Sequence, residues 1–77
     1  DHDCDIGRAA HIAPGCALAG CVTVGDRTFL GAGTSVIPGV TIGEDSMIGA
    51  GSVVVRDLPD RVTALGVPAR VRSGDGG

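Results

Sequence analysis

A period of six residues runs through residues 6–54, and it limits the possible folds more than any other feature of the sequence. Nine aliphatic residues follow one another at this spacing: Ile6, Ile12, Leu18, Val24, Leu30, Val36, Ile42, Ile48 and Val54. The residue directly after the aliphatic one is mostly glycine or alanine, with Ile37 and Val55 as exceptions. Six is not a multiple of the 3.6-residue helical turn, but it equals three strand periods. The sequence therefore predicts a solenoid of short strands.

Each hexad is predicted to be a short strand followed by a turn. Pairs rich in glycine, proline and aspartate stand at the turn positions, where the backbone needs a positive or a preset φ. The pairs are Arg8-Ala9, Pro14-Gly15, Gly20-Cys21, Asp26-Arg27, Ala32-Gly33, Pro38-Gly39, Glu44-Asp45, Ala50-Gly51 and Arg56-Asp57. Leu58-Pro59-Asp60 is predicted to end the repeat, because proline cannot donate to a strand ladder. We expect a β-helical domain over residues 1–59, an irregular strand and turn over 60–72, and a flexible tail over 73–77.

The composition agrees with a narrow interior filled by stacked aliphatic side chains. The 77 residues include 14 glycines, Phe29 as the single aromatic residue, and no Trp or Tyr. A net charge of −3 with interspersed signs argues against a nucleic-acid or membrane-surface role. The three cysteines form no CxxC motif, so neither a zinc ribbon nor a disulfide framework is indicated, and we expect reduced thiols in the cytoplasm.

The repeat resembles that of the left-handed β-helix acyltransferases. More narrowly, it is similar to the sugar O-acyltransferase group, which includes sialic acid O-acetyltransferases and the acetyltransferases of nucleotide-linked amino sugars. The stretches that carry this are HDCDIG at 2–7, HIAPG at 11–15, LAGCVTVG at 18–25, GAG at 31–33, VIPGV at 36–40 and GVPAR at 66–70. The resemblance implies an all-β, left-handed parallel β-helix of about three to four triangular coils. It also implies acetyl-CoA as the acyl donor, no metal, a homotrimer, and a chain that is N-terminally short relative to the family.

His2 and Asp3 are the candidate catalytic pair. Acyl transfer from a thioester needs a base that takes the proton of the attacking amine or hydroxyl, and histidine titrates near neutral pH. A neighbouring carboxylate can orient an imidazole and stabilise its charged form. The resemblance implies that His2 is the proton acceptor and that Asp3 raises its basicity. Two solvated polar residues in a turn would explain the same pair without any function.

His11 is expected to point outward, in one column with Phe29 and Met47, the single aromatic residue and the single methionine. An outward apolar stripe of this kind often marks an interface or a ligand wall, whereas a lone exposed histidine often has no function. The resemblance implies that His11, Ala32 and Ala50 contact acetyl-CoA. His2 and His11 lie half a coil apart, and each side of the triangle spans roughly 16 Å. A site that uses both would therefore lie between subunits.

The sequence leaves three functions open. The favoured one is an acetyl-CoA-dependent acyltransferase acting on an amino or hydroxyl group of a sugar, such as a nucleotide-linked amino sugar or sialic acid. The second is a non-catalytic trimeric β-solenoid that serves a structural or interaction role. The third is a zinc enzyme of the γ-carbonic-anhydrase type, which needs three histidines per site and fits the two histidines poorly.

Overall fold

Short parallel strands wind around three faces in a computed structural model that describes residues 4–74. The first nine strands have two residues each, and the last two are longer. They are β1 (Asp5–Ile6), β2 (His11–Ile12), β3 (Ala17–Leu18), β4 (Thr23–Val24), β5 (Phe29–Leu30), β6 (Ser35–Val36), β7 (Thr41–Ile42), β8 (Met47–Ile48), β9 (Val53–Val54), β10 (Val62–Leu65) and β11 (Arg70–Gly74). Residues 4–74 include no helix that is long and apolar enough to cross a membrane.

Three sheets form the three faces. The first sheet has the order β1-β4-β7, the second β11-β10-β8-β5-β2, and the third β3-β6-β9. Each residue of β1–β3 pairs in parallel with the residue eighteen positions later, as His11 does with Phe29. The prediction of an all-β, left-handed parallel β-helix is thus confirmed, with three coils and part of a fourth.

The core is the ladder of aliphatic residues, which point inward from every strand of the second and third coils. The side chains of Leu30, Ile42, Ile48 and Val54 are fully buried. The first coil is less well covered, since Ile6 is 40% exposed. Burial of a Leu or Ile side chain contributes about 1.5–3 kcal/mol, so the solenoid is stabilised coil by coil rather than by one central cluster.

Buried hydroxyl residues follow four of the turns in the second and third coils, whereas the buried Val40 follows the turn Pro38-Gly39. Thr28, Thr34, Ser46 and Ser52 are buried, and each side-chain oxygen donates to a backbone carbonyl, as Ser52 Oγ does to Gly49 O at 2.7 Å. No buried side-chain nitrogen or oxygen of the described residues lacks a hydrogen-bond partner. These short polar residues fit because the backbone of the same or the next coil satisfies them.

Where glycine directly follows the aliphatic residue, the next coil lies too close to leave room for a side chain. A Cβ atom on Gly25 would lie 2.5 Å from the backbone nitrogen of Glu44, and one on Gly31 would lie 2.6 Å from that of Ala50. The second residue of each turn from Arg8-Ala9 to Ala50-Gly51 has a positive φ, for instance 76° at Gly33 and 58° at Arg27, as the turn pattern predicted, whereas Asp57 in the predicted turn Arg56-Asp57 does not.

The C-terminal end differs from the prediction. Leu58 is buried and pairs with Ile42, sixteen residues earlier, so the last coil continues the core after a corner shortened by two residues. Pro59 does not end the ladder, because Leu58 itself donates to Thr41 O at 3.0 Å and accepts from Gly43 N at 2.9 Å.

An antiparallel hairpin of β10 and β11 then follows on the edge of the second sheet. Ser73, which was assigned to the tail, pairs with Thr63 in this hairpin, and Gly74 pairs with Val62. β11 extends that far because backbone N–H and C=O groups along the edge of β10 are available to pair with it.

Candidate functional site

The residues predicted to contact the acyl donor lie on one side of the solenoid. His11 is the first residue of β2 in the second sheet, and its side chain is exposed. Ala32 and Ala50 are turn residues at the corner between the second and third sheets, one coil apart, and both are exposed. His2 and Asp3 lie outside the described residues, so the catalytic pair stays a prediction.

A stripe of three residues crosses the second sheet beneath His11. The rings of His11 and Phe29 are stacked, with centroids 5.1 Å apart and planes inclined by 10°. Met47 pairs with Phe29 in the next coil. Phe29 is 37% exposed and Met47 53% exposed, so the stripe presents an apolar surface to its surroundings.

The corner next to this stripe carries no charge. We call it the small-residue corner; its turn pairs are Pro14-Gly15, Ala32-Gly33 and Ala50-Gly51. The coils are joined here by backbone hydrogen bonds, from Gly33 N to Pro14 O at 3.2 Å and from Gly51 N to Ala32 O at 2.8 Å. A Cβ atom on Gly51 would meet nothing within 4 Å, so the space outside this corner is open. A thin, extended ligand can approach the backbone closely along such an edge.

The corner between the first and second sheets is the opposite in character. We call it the charged corner; its turn pairs are Arg8-Ala9, Asp26-Arg27 and Glu44-Asp45. Arg27 forms a two-pronged ion pair with Asp45, at 2.7 Å from Nε to Oδ1 and 3.0 Å from Nη2 to Oδ2, and lies 3.7 Å from Glu44. Asp26 Oδ1 accepts from the backbone N–H of Arg8 at 2.7 Å.

These contacts shift two pKa values. The hydrogen bond and the positive charge of Arg27 lower the pKa of Asp45, and the same hydrogen bond and carboxylate raise the pKa of Arg27. Both side chains are exposed. Sequence reasoning missed this network, although the eighteen-residue register places Arg27 directly against Asp45 and could have revealed it.

The three cysteines are free thiols. The thiol of Cys4 donates to Ala19 O at 3.4 Å and that of Cys16 to Gly31 O at 3.2 Å, whereas Cys21 is exposed. Among residues 4–74, no group of three or more His, Cys, Asp or Glu side chains is placed to hold a metal ion.

A cavity of about 320 Å³ lies at the C-terminal end of the solenoid. Residues 56–59 of the shortened corner and residues 68–71 of the hairpin line it, and none of the predicted site residues is among them. Sequence reasoning missed this cavity, because it arises from the two-residue shortening of the last coil and from the return of β11.

Comparison with known proteins adds a family match. A family model described as bacterial transferase hexapeptide (six repeats) matches residues 21–56. A search of curated protein sequences finds no match.

Solved structures give closer matches. A mutant of perosamine N-acetyltransferase from Caulobacter crescentus, in complex with CoA and GDP-perosamine, is 62% identical with a TM-score of 0.91, over 92% of this chain and 34% of that chain. The acetyltransferase domain of PglB from Neisseria gonorrhoeae, in complex with acetyl coenzyme A, is 38% identical with a TM-score of 0.90, over 92% and 35%. A galactoside acetyltransferase in complex with coenzyme A is 35% identical with a TM-score of 0.90, over 96% and 46%.

These findings confirm the predicted resemblance. Residues 21–56 match the hexapeptide repeat of bacterial transferases, and the similar solved structures include acetyltransferases of a sugar and of an amino sugar. It spans between 34% and 46% of the length of those three neighbours.

Proposed function

We propose that the chain forms the β-helical part of an acetyl-CoA-dependent acetyltransferase, with an amino group of a nucleotide-linked sugar as the favoured acceptor. The observation that carries this proposal is the 62% identity, over 92% of the chain, to a perosamine N-acetyltransferase that holds CoA and GDP-perosamine. A hydroxyl acceptor is the alternative within the same reaction class, since a galactoside acetyltransferase is also among the neighbours.

In this proposal His11, Ala32 and Ala50 bind the acyl donor along the small-residue corner. The open space outside Gly51 and the absence of charge at this corner support it. The donor's pantetheine arm is thin, and amide groups along it can hydrogen-bond to a backbone that no side chain covers. The outward position of His11 on the adjoining sheet lets its ring face the thioester end of the donor.

His2 acts as the general base and Asp3 orients it. His2 takes the proton from the acceptor nitrogen or oxygen as that atom forms a bond to the thioester carbonyl carbon; the C–S bond then breaks, and His2 returns the proton to the sulfur, so that CoA leaves as a thiol. No part of this scheme needs a metal ion.

The working site lies between subunits of a homotrimer. Support comes from the half-coil spacing of the two histidines and from the exposed apolar side chains of Ile37 and Val55. Side chains of this size are more often covered in an assembly than left in water. Sedimentation velocity should give a trimer at micromolar concentration, and a monomer there would contradict the shared site.

The three free thiols support a reducing compartment, and we place the protein in the cytoplasm. Recovery of the native protein from an extracytoplasmic fraction would contradict this.

Two variants test the catalytic proposal in a thiol-release assay with acetyl-CoA and a panel of nucleotide amino sugars. His2→Ala should lower kcat by at least about 100-fold, the usual contribution of a general base, and leave the Kd for acetyl-CoA unchanged. His11→Ala, the matched histidine variant, should instead raise the Kd for acetyl-CoA.

The catalytic role would be refuted if the parent protein and His2→Ala bind CoA equally and neither releases thiol with any acceptor tested. That result would favour the non-catalytic solenoid, because binding would then exist without chemistry.

A further inference from the structure

The orientation of the His11 ring depends on a single side chain. Among the described residues, the imidazole of His11 makes no hydrogen bond, and its one ring contact is the stack on Phe29 at 5.1 Å. An exposed histidine without a hydrogen-bond partner can rotate about both side-chain torsions, since nothing else holds the ring in one rotamer. The stack, with planes inclined by 10°, restricts this freedom.

The register of the solenoid creates this stack. Phe29 pairs with His11 in the parallel ladder of the second sheet, and Met47 pairs with Phe29 from the other side. Phe29 therefore lies between these two residues in the ladder. An aliphatic residue at position 29 would cover similar area, but it offers no flat face against which an imidazole can lie.

We propose that Phe29 is a positioning residue for donor binding: its ring holds the His11 imidazole in the stacked orientation in which His11 meets the thioester end of the acyl donor. This inference rests on the proposed function, which makes His11 a donor contact. Phe29 itself does not touch the reacting atoms. Its effect passes through His11, and that dependence is the feature that an experiment can isolate.

The first measurement is structural and needs no substrate. In protein labelled on its histidines, the carbon-bound protons of the His11 ring should be shifted upfield by the ring current of Phe29, with His11→Asn used for assignment. Phe29→Leu should move these resonances downfield, whereas Phe29→Tyr, which keeps the ring, should preserve them. Met47→Leu is the matched control, because Met47 lies in the same exposed stripe and does not contact His11.

The second measurement is the Kd for acetyl-CoA by calorimetry. Phe29→Leu should weaken binding by about three- to tenfold, the range expected when an aromatic pair that orders a binding group is lost. Phe29→Tyr and Met47→Leu should stay within about twofold of the parent. In steady-state kinetics the change should appear in KM, with kcat retained, because the proton acceptor is a different residue.

A double-mutant cycle separates positioning from general support of the fold. In the background of His11→Asn, the Phe29→Leu change should no longer weaken acetyl-CoA binding, because no imidazole remains to be positioned. Additive losses would overturn the proposal, and so would unchanged His11 resonances in Phe29→Leu.

The cycle also distinguishes this inference from the proposed function. A parent protein that binds acetyl-CoA, with Phe29→Leu binding it equally well, refutes the role of Phe29 alone. A parent protein that does not bind acetyl-CoA refutes the proposed function and the donor-binding role of Phe29 together.

Discussion

The charged corner and the small-residue corner are built on the same backbone but use their side chains differently. Both place a residue of positive φ second in the turn, as at Arg27 and Gly33, and both link successive coils by backbone hydrogen bonds of about the same length. At the charged corner, Arg27 also bonds the carboxylate of Asp45 one coil below. At the small-residue corner, the equivalent side chains are a methyl group or a hydrogen atom.

The difference separates what the fold needs from what a ligand needs. A solenoid corner requires a compatible turn, and at both of these corners glycines also lie close to the next coil. Side-chain ion pairs between coils are an addition that the small-residue corner lacks. An edge without side chains is one that a substrate can reach, so the missing charges support a binding role for this corner.

The largest expected effect tests whether the two corners share one backbone requirement. Gly25→Ala at the charged corner and Gly31→Ala at the small-residue corner each place a Cβ atom within 2.6 Å of backbone nitrogen in the next coil. Each should lower the free energy of unfolding by about 3 kcal/mol, since the backbone has to shift. Urea denaturation followed by circular dichroism measures the change.

Gly51→Ala is the control for these two variants. Its Cβ atom would meet nothing within 4 Å, although φ is +73°, so the expected loss is only about 1 kcal/mol of backbone strain. A difference of more than about 1 kcal/mol between Gly25→Ala and Gly31→Ala would show that the corners are not equivalent in backbone packing.

Much of the fold follows from the six-residue period. The period predicts the strands, the eighteen-residue register and the outward column of His11, Phe29 and Met47, all of which the structure contains. The continuation of the core at Leu58 could not be predicted in this way, because a shortened corner breaks the period that the prediction uses.

The site was less predictable than the fold. Register alone places Phe29 beneath His11, but the parallel stacking of their rings depends on side-chain torsions that no periodicity specifies. The ion pair of Arg27 and Asp45 joins two turns one coil apart, so it follows from the eighteen-residue register and not from the composition of either turn alone. His2 and Asp3 remain predictions from the motif, since they lie outside the described residues.

The next effect concerns binding and contrasts the two corners directly. Ala50→Leu should raise the Kd for acetyl-CoA by about tenfold or more, because the new side chain fills the surface along which the donor is proposed to lie. Thermal unfolding should change little, since Ala50 is exposed. Calorimetric titration with acetyl-CoA measures the affinity.

Glu44→Leu is the matched control for Ala50→Leu. Glu44 occupies the same turn position in the same coil, but at the charged corner, and its ion pair with Arg27 at 3.7 Å is long and exposed. The Kd of Glu44→Leu for acetyl-CoA should equal that of the parent. Equal weakening by both variants would mean that the donor does not distinguish the corners, and the binding role of the small-residue corner would be wrong.

The smallest effect tests the ion pair at the charged corner through its pH dependence. Arg27 lowers the pKa of Asp45 below its ordinary value of 3.8 in the folded protein, so the folded state holds the proton less tightly than the unfolded chain does. The stabilisation is therefore present above the unfolded pKa and disappears as the pH falls through the folded pKa. Asp45→Asn should melt at a slightly lower temperature than the parent at pH 7, and this difference in melting temperature should disappear as the pH falls below about 4.

Salt at about 1 M should reduce the same gap in melting temperature at pH 7, because exposed charges are screened. A gap that stays constant with pH and salt would assign the contact to hydrogen-bond geometry rather than to charge, and the two corners would then differ in shape alone.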